Sequence, residues 1–495
     1  MPIGFTSYLF IVVVLVSLVI YWSLSSKPKK QNIALLCICY FIYAYGAIWL
    51  LIVIFISTVF NYITGRLLGK EYDDKTKKLI LTINILGNVA YLGVFKYFNF
   101  FSEQISNLLS FIGLNVQPFL LGILLPIGIS FYTLQVIAYN IDVYRKDIPA
   151  TTNFITFAVF VAYFPKLTAG PIDKSPIIIA QIESEKSFKD INFSGAWQLL
   201  LLGYFKKIVI ADIITHQIAP FYENPLDFGT TEARIIIILF TIQILVDFSA
   251  YSDIARGISR LFGIELMINF NQPYLSTNVQ EFWRRWHISL SEWFRDYMYK
   301  PLGGNRKGFS RLLLNLMIIF VVSGFWHGVG LTFIIWGFLH GVFIVIYRIN
   351  TLAIDRWKGN HQEFVTKVNN NNKYKIPRKI YGLLGLFITF QLVNFAWIFF
   401  RAPDVETALL IIERAYFIKG DLGLNFWTSS FFGILLFACI IVLTVEIIQY
   451  KLDRHEIFTD LHWVIRGICY ALLIIMILTF FNIFLGYEPF IYEGF

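Results

Sequence analysis

Long stretches without a charged residue constrain this chain more than any other feature of its sequence. Such stretches run over residues 1–26, 31–65, 104–141, 312–347, 380–400, 422–445 and 467–487. A helix needs about 20 apolar residues to cross a bilayer, and each of these stretches reaches that length. Only 15% of the residues are charged, against about 25% in soluble domains. The chain is therefore predicted to be an all-α, polytopic integral membrane protein.

The positions of the positive charges predict how the chain is oriented in the membrane. Lys27, Lys29 and Lys30 follow the first apolar stretch, which places that loop inside and the preceding end of the chain outside. Residues 271–311 hold seven Lys or Arg and three Asp or Glu, so they are predicted to form an amphipathic segment on the cytoplasmic side. We expect about 11–14 transmembrane or re-entrant helices. They form a single membrane domain over residues 1–495, without a separate soluble domain.

The net charge of +9 fits contacts with anionic lipid better than binding to nucleic acid, because Lys and Arg accumulate in the cytoplasmic loops of membrane proteins. The four cysteines lie in apolar segments without metal-ligand spacing, so neither a metal site nor a disulfide is predicted. The sequence has no G-x-x-x-x-G-K-[ST], H-E-x-x-H or G-x-S-x-G motif. These absences argue against ATP-driven transport, zinc proteolysis and serine hydrolysis.

The first candidate for chemistry is His327, which lies inside the uncharged stretch 312–347. An ionisable residue deep in a membrane segment is costly and indicates function by default. An imidazole also suits general-base chemistry near neutral pH. A structural histidine bonded to a neighbouring helix is the open alternative. His340 follows more than three turns later if the helix is continuous, so direct contact between the two histidines is not expected.

The second candidate is His287, in a segment that mixes tryptophan with arginine. This composition is typical of a membrane interface, and an amphipathic helix on the inner leaflet is one interpretation. In the other interpretation, His287 faces a cytoplasmic entrance that holds a phosphate-bearing donor such as coenzyme A. The residues predicted to bind the donor at this entrance are Arg284, Arg285, Trp286 and Arg295.

Four blocks, in this order, resemble the membrane-bound O-acyltransferases. They read GISFYT to DVYR over 128–145, FPKLTAGPI over 164–172, FWRRWHISLS and its continuation over 282–306, and GFWHG over 324–328. The core of the resemblance covers residues 120–345, and it weakens toward both ends. It is strongest to the bacterial branch that contains the alginate O-acetylation proteins.

This resemblance implies helices around a central acyl-transfer tunnel in the bacterial plasma (inner) membrane. An acyl group enters from a cytoplasmic thioester, acetyl-coenzyme A in this branch, and leaves toward an exported polysaccharide. The intramembrane histidine of the family corresponds to His327, and the second family histidine corresponds to His287. No permanently bound cofactor is implied. The implied partners are an extracytoplasmic SGNH-type acetyltransferase, the polysaccharide acceptor and membrane lipids.

Residues 488–495 form an apolar, aromatic end segment with the sequence EPFIYEGF. Chain ends are usually polar, so a segment of this composition is expected to bury itself. It resembles the tyrosine-containing end seen in this branch but departs from it at Glu493 and Gly494. Our hypothesis is that the segment folds back from the outer side and offers Tyr492 as an acyl relay. The alternative is that it only plugs the outer mouth.

Two other functions stay open on the sequence. The first is transfer of D-alanyl or another acyl group from a carrier protein to a cell-wall polymer. The second is export or flipping of a polysaccharide without any chemistry by this chain. Replacing His327 separates the second from acyl transfer, since an acyltransferase then loses ester groups while export continues.

Overall fold

The computed structural model describes residues 4–45, 47–122, 125–360, 378–417, 430–481 and 490–491. Within those ranges every regular element is helical, which confirms the prediction of an all-α chain. The α-helices are α1 (Tyr8–Ser23), α2 (Pro28–Ala44), α3 (Trp49–Leu68), α4 (Asp74–Leu92), α5 (Phe98–Phe111), α6 (Ile129–Arg145), α7 (Phe154–Ala162), α8 (Phe164–Leu167), α9 (Ser175–Glu183), α10 (Phe193–Tyr204), α11 (Asp212–Glu223), α12 (Thr230–Leu261), α13 (Val279–Arg285), α14 (Ile288–Phe294), α15 (Phe309–His327), α16 (Leu331–Asn360), α17 (Arg378–Arg401), α18 (Val405–Ile412), α19 (Ser430–Leu452) and α20 (Trp463–Phe481).

Several helices widen or tighten locally. Wide π-helical turns lie at Gly93–Tyr97, Phe205–Ala211, Arg295–Tyr299 and Glu413–Phe417. Short 3₁₀ turns lie at Phe188–Asp190, Pro225–Asp227, Pro273–Leu275 and Phe458–Asp460. A π-helical turn inserts one residue into a helix and often lies at a functional position. Two of these wide turns hold residues that matter below, Lys207 and Arg295.

Eight helices of the described part of the chain are long and apolar enough to cross a membrane, and the shorter apolar helix α1 adds 16 residues. The chain is thus a multi-pass membrane protein, as predicted. Helices α4 and α5 join into one apolar run, Asp74–Phe111, through a wide turn. The chain divides into α7 and α8 at Tyr163, and Pro165 lies in the first turn of α8. The predictions of a single domain and of a central tunnel stay predictions.

The described residues form two compact units, one within residues 1–209, 247–268 and 456–495 and the other within 210–246 and 269–455. The core of the first unit is α6, whose residues 129–143 are all buried. Asn61 on α3 accepts hydrogen bonds from the side-chain amides of Asn84 and Asn88 on α4 and of Asn140 on α6, at 2.8–3.0 Å. Such bonds hold helices together in lipid, where the hydrophobic effect between helices is absent.

In the second unit, α15 and α16 pack closely through glycines. A methyl group added to Gly324 would overlap the carbonyl oxygen of Phe333, and one added to Gly337 would overlap that of Phe320. Small residues at a helix contact allow backbones to approach this closely in a membrane. Between the two helices, Gly328 is extended (φ −162°, ψ 166°) and ends α15 directly after His327. The chain therefore turns back at the histidine instead of continuing as one helix.

Candidate active site

His327 is the last residue of α15, and it is only 3% exposed. Its surroundings are aromatic: ring centroids lie 4.9 Å away for Trp326, 5.0 Å for Trp336 and 5.4 Å for Phe400. Trp336 meets the imidazole edge to face, at 89°. The packing of α15 on α16 and the turn at Gly328 produce this arrangement. A base in such a place is shielded from bulk water.

His340 reaches the same cluster through the ring of Trp336. It is fully buried on α16, and its ring lies 5.0 Å from that of Trp336, which also contacts His327. The indole N–H of Trp283 donates to Nδ1 of His340 at 3.3 Å. A neutral imidazole that accepts at Nδ1 carries its proton at Nε2. His340 is thus a hydrogen-bond donor in the aromatic cluster that surrounds the candidate base.

Sequence reasoning missed His340 because it measured distance along one straight helix. The turn over residues 328–330 makes α15 and α16 antiparallel neighbours, so residues 13 apart in sequence approach the same indole. In the sequence, close packing of these two helices is indicated only by Gly324, Gly337 and Gly341, whose spacing favours it.

Trp286 belongs to a buried stack of tryptophans. It is 1% exposed, and its ring lies 5.0 Å from that of Trp397, which stacks on Trp336 at 5.6 Å. The indole N–H of Trp397 donates to the hydroxyl of Tyr274 at 3.1 Å. That hydroxyl donates in turn to the backbone carbonyl of Thr241 at 2.7 Å. Trp286 therefore lies in the interior of the cluster, and its indole ring has little contact with solvent.

His287 lies at a break between two short helices, and the predicted amphipathic segment is accordingly not one continuous helix. Its backbone is left-handed (φ 43°, ψ 55°), and its Nδ1 caps α14 by accepting the N–H of Leu290 at 3.3 Å. Asn269 supports the break by accepting from the backbone N–H groups of Ile288 and Ser289. A non-glycine residue in this conformation is uncommon and typical of strained functional positions.

The protonation of His287 follows from this capping bond and from burial. Burial lowers the pKa of His287 from 6.5 to about 3, so the imidazole is neutral near pH 7. Because Nδ1 accepts a hydrogen bond, the proton of the neutral ring is on Nε2. His287 is therefore suited to donate a hydrogen bond and poorly suited to accept a proton.

The three arginines predicted at the donor entrance differ in their surroundings. Arg285 is committed to the fold: it pairs with Glu281 at 3.0 Å, donates to the carbonyl of Asn271 and lies 4.9 Å from the ring of Tyr450. Arg284 is exposed. Arg295 has a side chain that is 48% exposed and pairs with Glu292 and Asp296. Exposure favours Arg284 and Arg295 over Arg285 as contacts for an incoming ligand.

Ring contacts connect the two candidate histidines although 40 positions separate them. His327 contacts Phe400, Phe400 lies 5.1 Å from Trp397, and Trp397 contacts Trp286, the neighbour of His287 in sequence. The structure thus gathers the third and fourth sequence blocks around one aromatic cluster. Tyr492, the predicted relay, lies outside the described residues.

Comparisons with known proteins identify the family of this chain. The family model of the membrane-bound O-acyltransferases matches residues 34–356. The chain is 37% identical to a probable alginate O-acetylase of Pseudomonas aeruginosa over 79% of its own length and 71% of that protein. It is 33% identical to the peptidoglycan O-acetyltransferase of Helicobacter pylori over 86% and 78% of the two chains. A teichoic acid D-alanyltransferase of Streptococcus thermophilus is 27% identical over 55% and 68%.

This chain therefore belongs to the membrane-bound O-acyltransferase family, and it is an O-acyltransferase. The matched residues 34–356 include all four sequence blocks and both candidate histidines. The resemblance found on the sequence is confirmed. An exporter without chemistry of its own, one of the alternatives left open by the sequence, does not fit this family.

Proposed function

We propose that the chain transfers an acetyl group from cytoplasmic acetyl-coenzyme A to a polysaccharide outside the bacterial plasma membrane. The observation that carries this proposal is the buried imidazole of His327 at the end of α15, inside an uncharged aromatic cluster. The two relatives described as O-acetylases act, by their names, on alginate and on peptidoglycan. Both acceptors are polysaccharides that lie outside the cytoplasm, which supports the same class of acceptor here.

His327 acts as the general base in this proposal. The acceptor oxygen forms a bond to the carbonyl carbon of the thioester while His327 removes the hydroxyl proton. The carbon–sulfur bond then breaks, and the imidazolium returns the proton to the leaving sulfur, so that coenzyme A departs as the thiol and His327 is neutral again. A hydroxyl is a weak nucleophile at neutral pH, so the protein must catalyse the removal of its proton.

His287 acts as a donor to the developing oxyanion. Its neutral ring carries the proton on Nε2, because Nδ1 accepts the N–H of Leu290. A donor fixed before the reaction stabilises the negative charge that builds on the thioester oxygen, and it does so without reorganisation. The left-handed backbone at His287 holds the ring in place for this role.

Arg284 and Arg295 are proposed to receive the phosphates of the donor. Both are exposed, as are Lys300, Arg306 and Lys307 further along the same segment. Guanidinium groups bind phosphate through paired N–H donors. Acetyl-coenzyme A carries several phosphate groups and arrives as a diffusible substrate, so a positive, solvent-facing segment fits its recognition.

Tyr492 is proposed as the relay on the outer side. In the first transfer its phenol oxygen replaces the thiol on the acetyl carbonyl, and its proton leaves with the thiol. In the second, an acceptor hydroxyl replaces the phenol, which regains a proton. An extracytoplasmic SGNH-type acetyltransferase is the proposed partner for this second step. Full polysaccharide acetylation by Tyr492→Phe would reject the relay.

The decisive experiment measures both polymer and esters in cells that carry His327→Ala. We expect unaltered polymer export with loss of ester-linked acetyl groups, measured by mass spectrometry of the isolated polysaccharide. His462→Ala is the matched control, because His462 is exposed and lies outside the cluster. Normal ester content in the His327 variant contradicts the proposal.

The nature of the acyl group separates acetylation from D-alanylation. The D-alanyltransferase relative is more distant and covers a smaller share of this chain than the two O-acetylases. We expect acetyl esters and no D-alanyl esters in the polymer, and we expect purified protein to consume acetyl-coenzyme A. D-Alanyl esters that depend on His327 would establish the alternative donor, an acyl group on a carrier protein.

A further inference from the structure

The first compact unit contains an ion pair that is almost fully buried. Nζ of Lys207 lies 2.9 Å from Oδ1 of Asp247, and the two side chains are 1% and 3% exposed. Lys207 is in the wide turn Phe205–Ala211, and Asp247 is on α12, a helix apolar enough to cross the membrane. Charged residues at such positions are costly and usually serve a function. The acyl-transfer chemistry proposed above does not use this pair.

Both members of the pair hold the segment that precedes Tyr492. The second oxygen of Asp247, Oδ2, accepts the backbone N–H of Ile491 at 2.7 Å. Nζ of Lys207 lies 4.3 Å from the centroid of the Phe490 ring, a cation–π contact. Phe490 is 1% exposed and meets the ring of Tyr251 edge to face at 5.1 Å. The ion pair thus contacts one backbone group and one side chain of the same dipeptide.

These contacts recognise the segment in a specific way. A carboxylate that accepts a backbone N–H fixes the path of the chain, and a cation against a ring selects an aromatic side chain. In a low-dielectric interior both interactions are stronger than in water. Packing alone would have needed only apolar groups at these two positions, and a buried pair is often no more stabilising than apolar residues of similar size.

We propose that Lys207 and Asp247 form a docking site for the 490–491 dipeptide and act as positioning residues for acyl transfer through Tyr492. Tyr492 follows directly after Ile491, so fixing the Ile491 amide limits where the phenol can reach. This inference rests on the proposed relay function of Tyr492. The docking itself can be measured independently of that function.

A neighbouring ion pair provides a matched control. Lys206 and Asp253, on the same two elements, pair at 2.9 Å with side chains 12% and 17% exposed. The double variant Lys206→Met/Asp253→Asn removes both charges of this pair, and the asparagine keeps a side-chain oxygen for Arg256, which lies 3.8 Å from Asp253. The test variant is Lys207→Met/Asp247→Leu, in which both charges are removed together so that no uncompensated charge stays buried. Lys207→Arg keeps the positive charge and serves as the conservative variant.

Hydrogen exchange with mass spectrometry on the full chain in lipid nanodiscs reports docking through the peptide that carries Phe490 and Ile491. We expect exchange in the test variant to accelerate by about tenfold or more, because the amide loses its acceptor. Polysaccharide ester content in cells should fall by about tenfold or more, since a misplaced reacting group loses effective concentration. The control pair and Lys207→Arg should stay near the wild type in both measurements.

Each alternative outcome is distinguishable. Unchanged protection of the 490–491 peptide in Lys207→Met/Asp247→Leu overturns the docking site. Lost protection with full ester content overturns the positioning role. Equal losses in the control pair assign the effect to general loss of structure and also overturn the proposal. Tyr492→Phe tests the relay separately: if esters persist there, the relay is wrong, while protection of the peptide still reports docking.

Discussion

Two buried polar sites in this protein solve the same physical problem in opposite ways. Around His327 the chain places two imidazoles among aromatic rings, with Trp336 in contact with both His327 and His340. Around Asp247 it places full charges and pairs each with a partner, Lys207 at 2.9 Å and the Ile491 amide at 2.7 Å. Isolated charge is costly in both environments.

The difference indicates what each site is for. A base that must take up and release a proton needs surroundings in which neither of its protonation states is strongly favoured over the other. A docking site has no such restriction, and strong pairing improves its hold on the segment. We therefore expect substitutions around His327 to change rate more than stability, and substitutions in the ion pair to change stability and placement.

The largest effect on rate is expected for His327→Gln. Loss of a general base lowers the rate by about 10²–10⁴-fold, which corresponds to about 2.7–5.4 kcal/mol in the activation free energy. Thermal stability in nanodiscs should change little, since an amide of similar size occupies the same aromatic surroundings. Turnover of acetyl-coenzyme A with an added acceptor checks the rate, with His462→Gln as the control. An active variant would leave His327 with a structural role.

The largest effect on stability is expected for Lys207→Met alone. It leaves the Asp247 carboxylate buried without its cation, which typically costs about 3–5 kcal/mol. Adding Asp247→Leu should recover most of this loss, because the unpaired charge is then gone. Thermal unfolding of the two single variants and the double variant completes a mutant cycle. If the double variant is as unstable as Lys207→Met, the loss of stability comes from lost packing and not from an unpaired charge. The proposed difference between the two buried sites would then lose its support.

The sequence predicts one of these sites far better than the other. His327 stands out because it is an ionisable residue inside a long uncharged stretch, and the family resemblance points to it independently. Asp247 shows in the sequence only as a residue near the end of a span, and its pairing with Lys207 and Ile491 joins parts of the chain that lie far apart. No local sequence pattern indicates such a long-range contact. An ionisable residue inside an uncharged stretch, in contrast, is visible in the local sequence.

The same limit explains the errors within the aromatic site. The sequence predicts Trp286 at a solvent-facing entrance because tryptophan next to arginine is typical of interfaces, but it lies in a buried stack. His340 is excluded from the site only if the helix continues through Gly328, and the structure ends the helix there. The all-helical class of the chain and the lengths of its apolar segments follow from composition. The partners of each side chain depend on how the helices pack against one another.

A smaller loss of stability is expected for Gly337→Ala. The added methyl group meets the carbonyl oxygen of Phe320 in the backbone of α15, so the two helices must separate, at a typical cost of about 1–3 kcal/mol. Activity should fall by more than the stability alone suggests, because His327 shifts relative to Trp336. Gly382→Ala on α17 is the control, since a methyl group added there would have no atom within 4 Å. Equal behaviour of the two variants would contradict close packing of α15 on α16.

The smallest effect on folding stability at neutral pH is expected for His287→Asn. Asparagine tolerates the left-handed backbone and can cap α14 through its side-chain oxygen, so the helix break should persist. The wild-type ring has its pKa lowered to about 3 by burial, against 6.5 for an ordinary histidine. Between these values the unfolded chain binds a proton that the folded chain does not, and folding stability therefore decreases as pH falls.

This linkage gives the variant a pH signature that tests whether the buried ring of His287 stays neutral in the folded protein. Above about pH 6.5 His287 is neutral in both the folded and the unfolded chain, and it does not lower folding stability. Below that pH the loss of folding stability grows as pH falls, and it reaches its full size near pH 3. The asparagine variant lacks the titrating group, so it should lose less stability than the wild type on acidification from about pH 7 to about pH 4. Thermal unfolding across that range measures the difference. Parallel curves would mean that burial does not lower the pKa of His287 in the folded protein, and the desolvated, neutral ring described above would then be wrong.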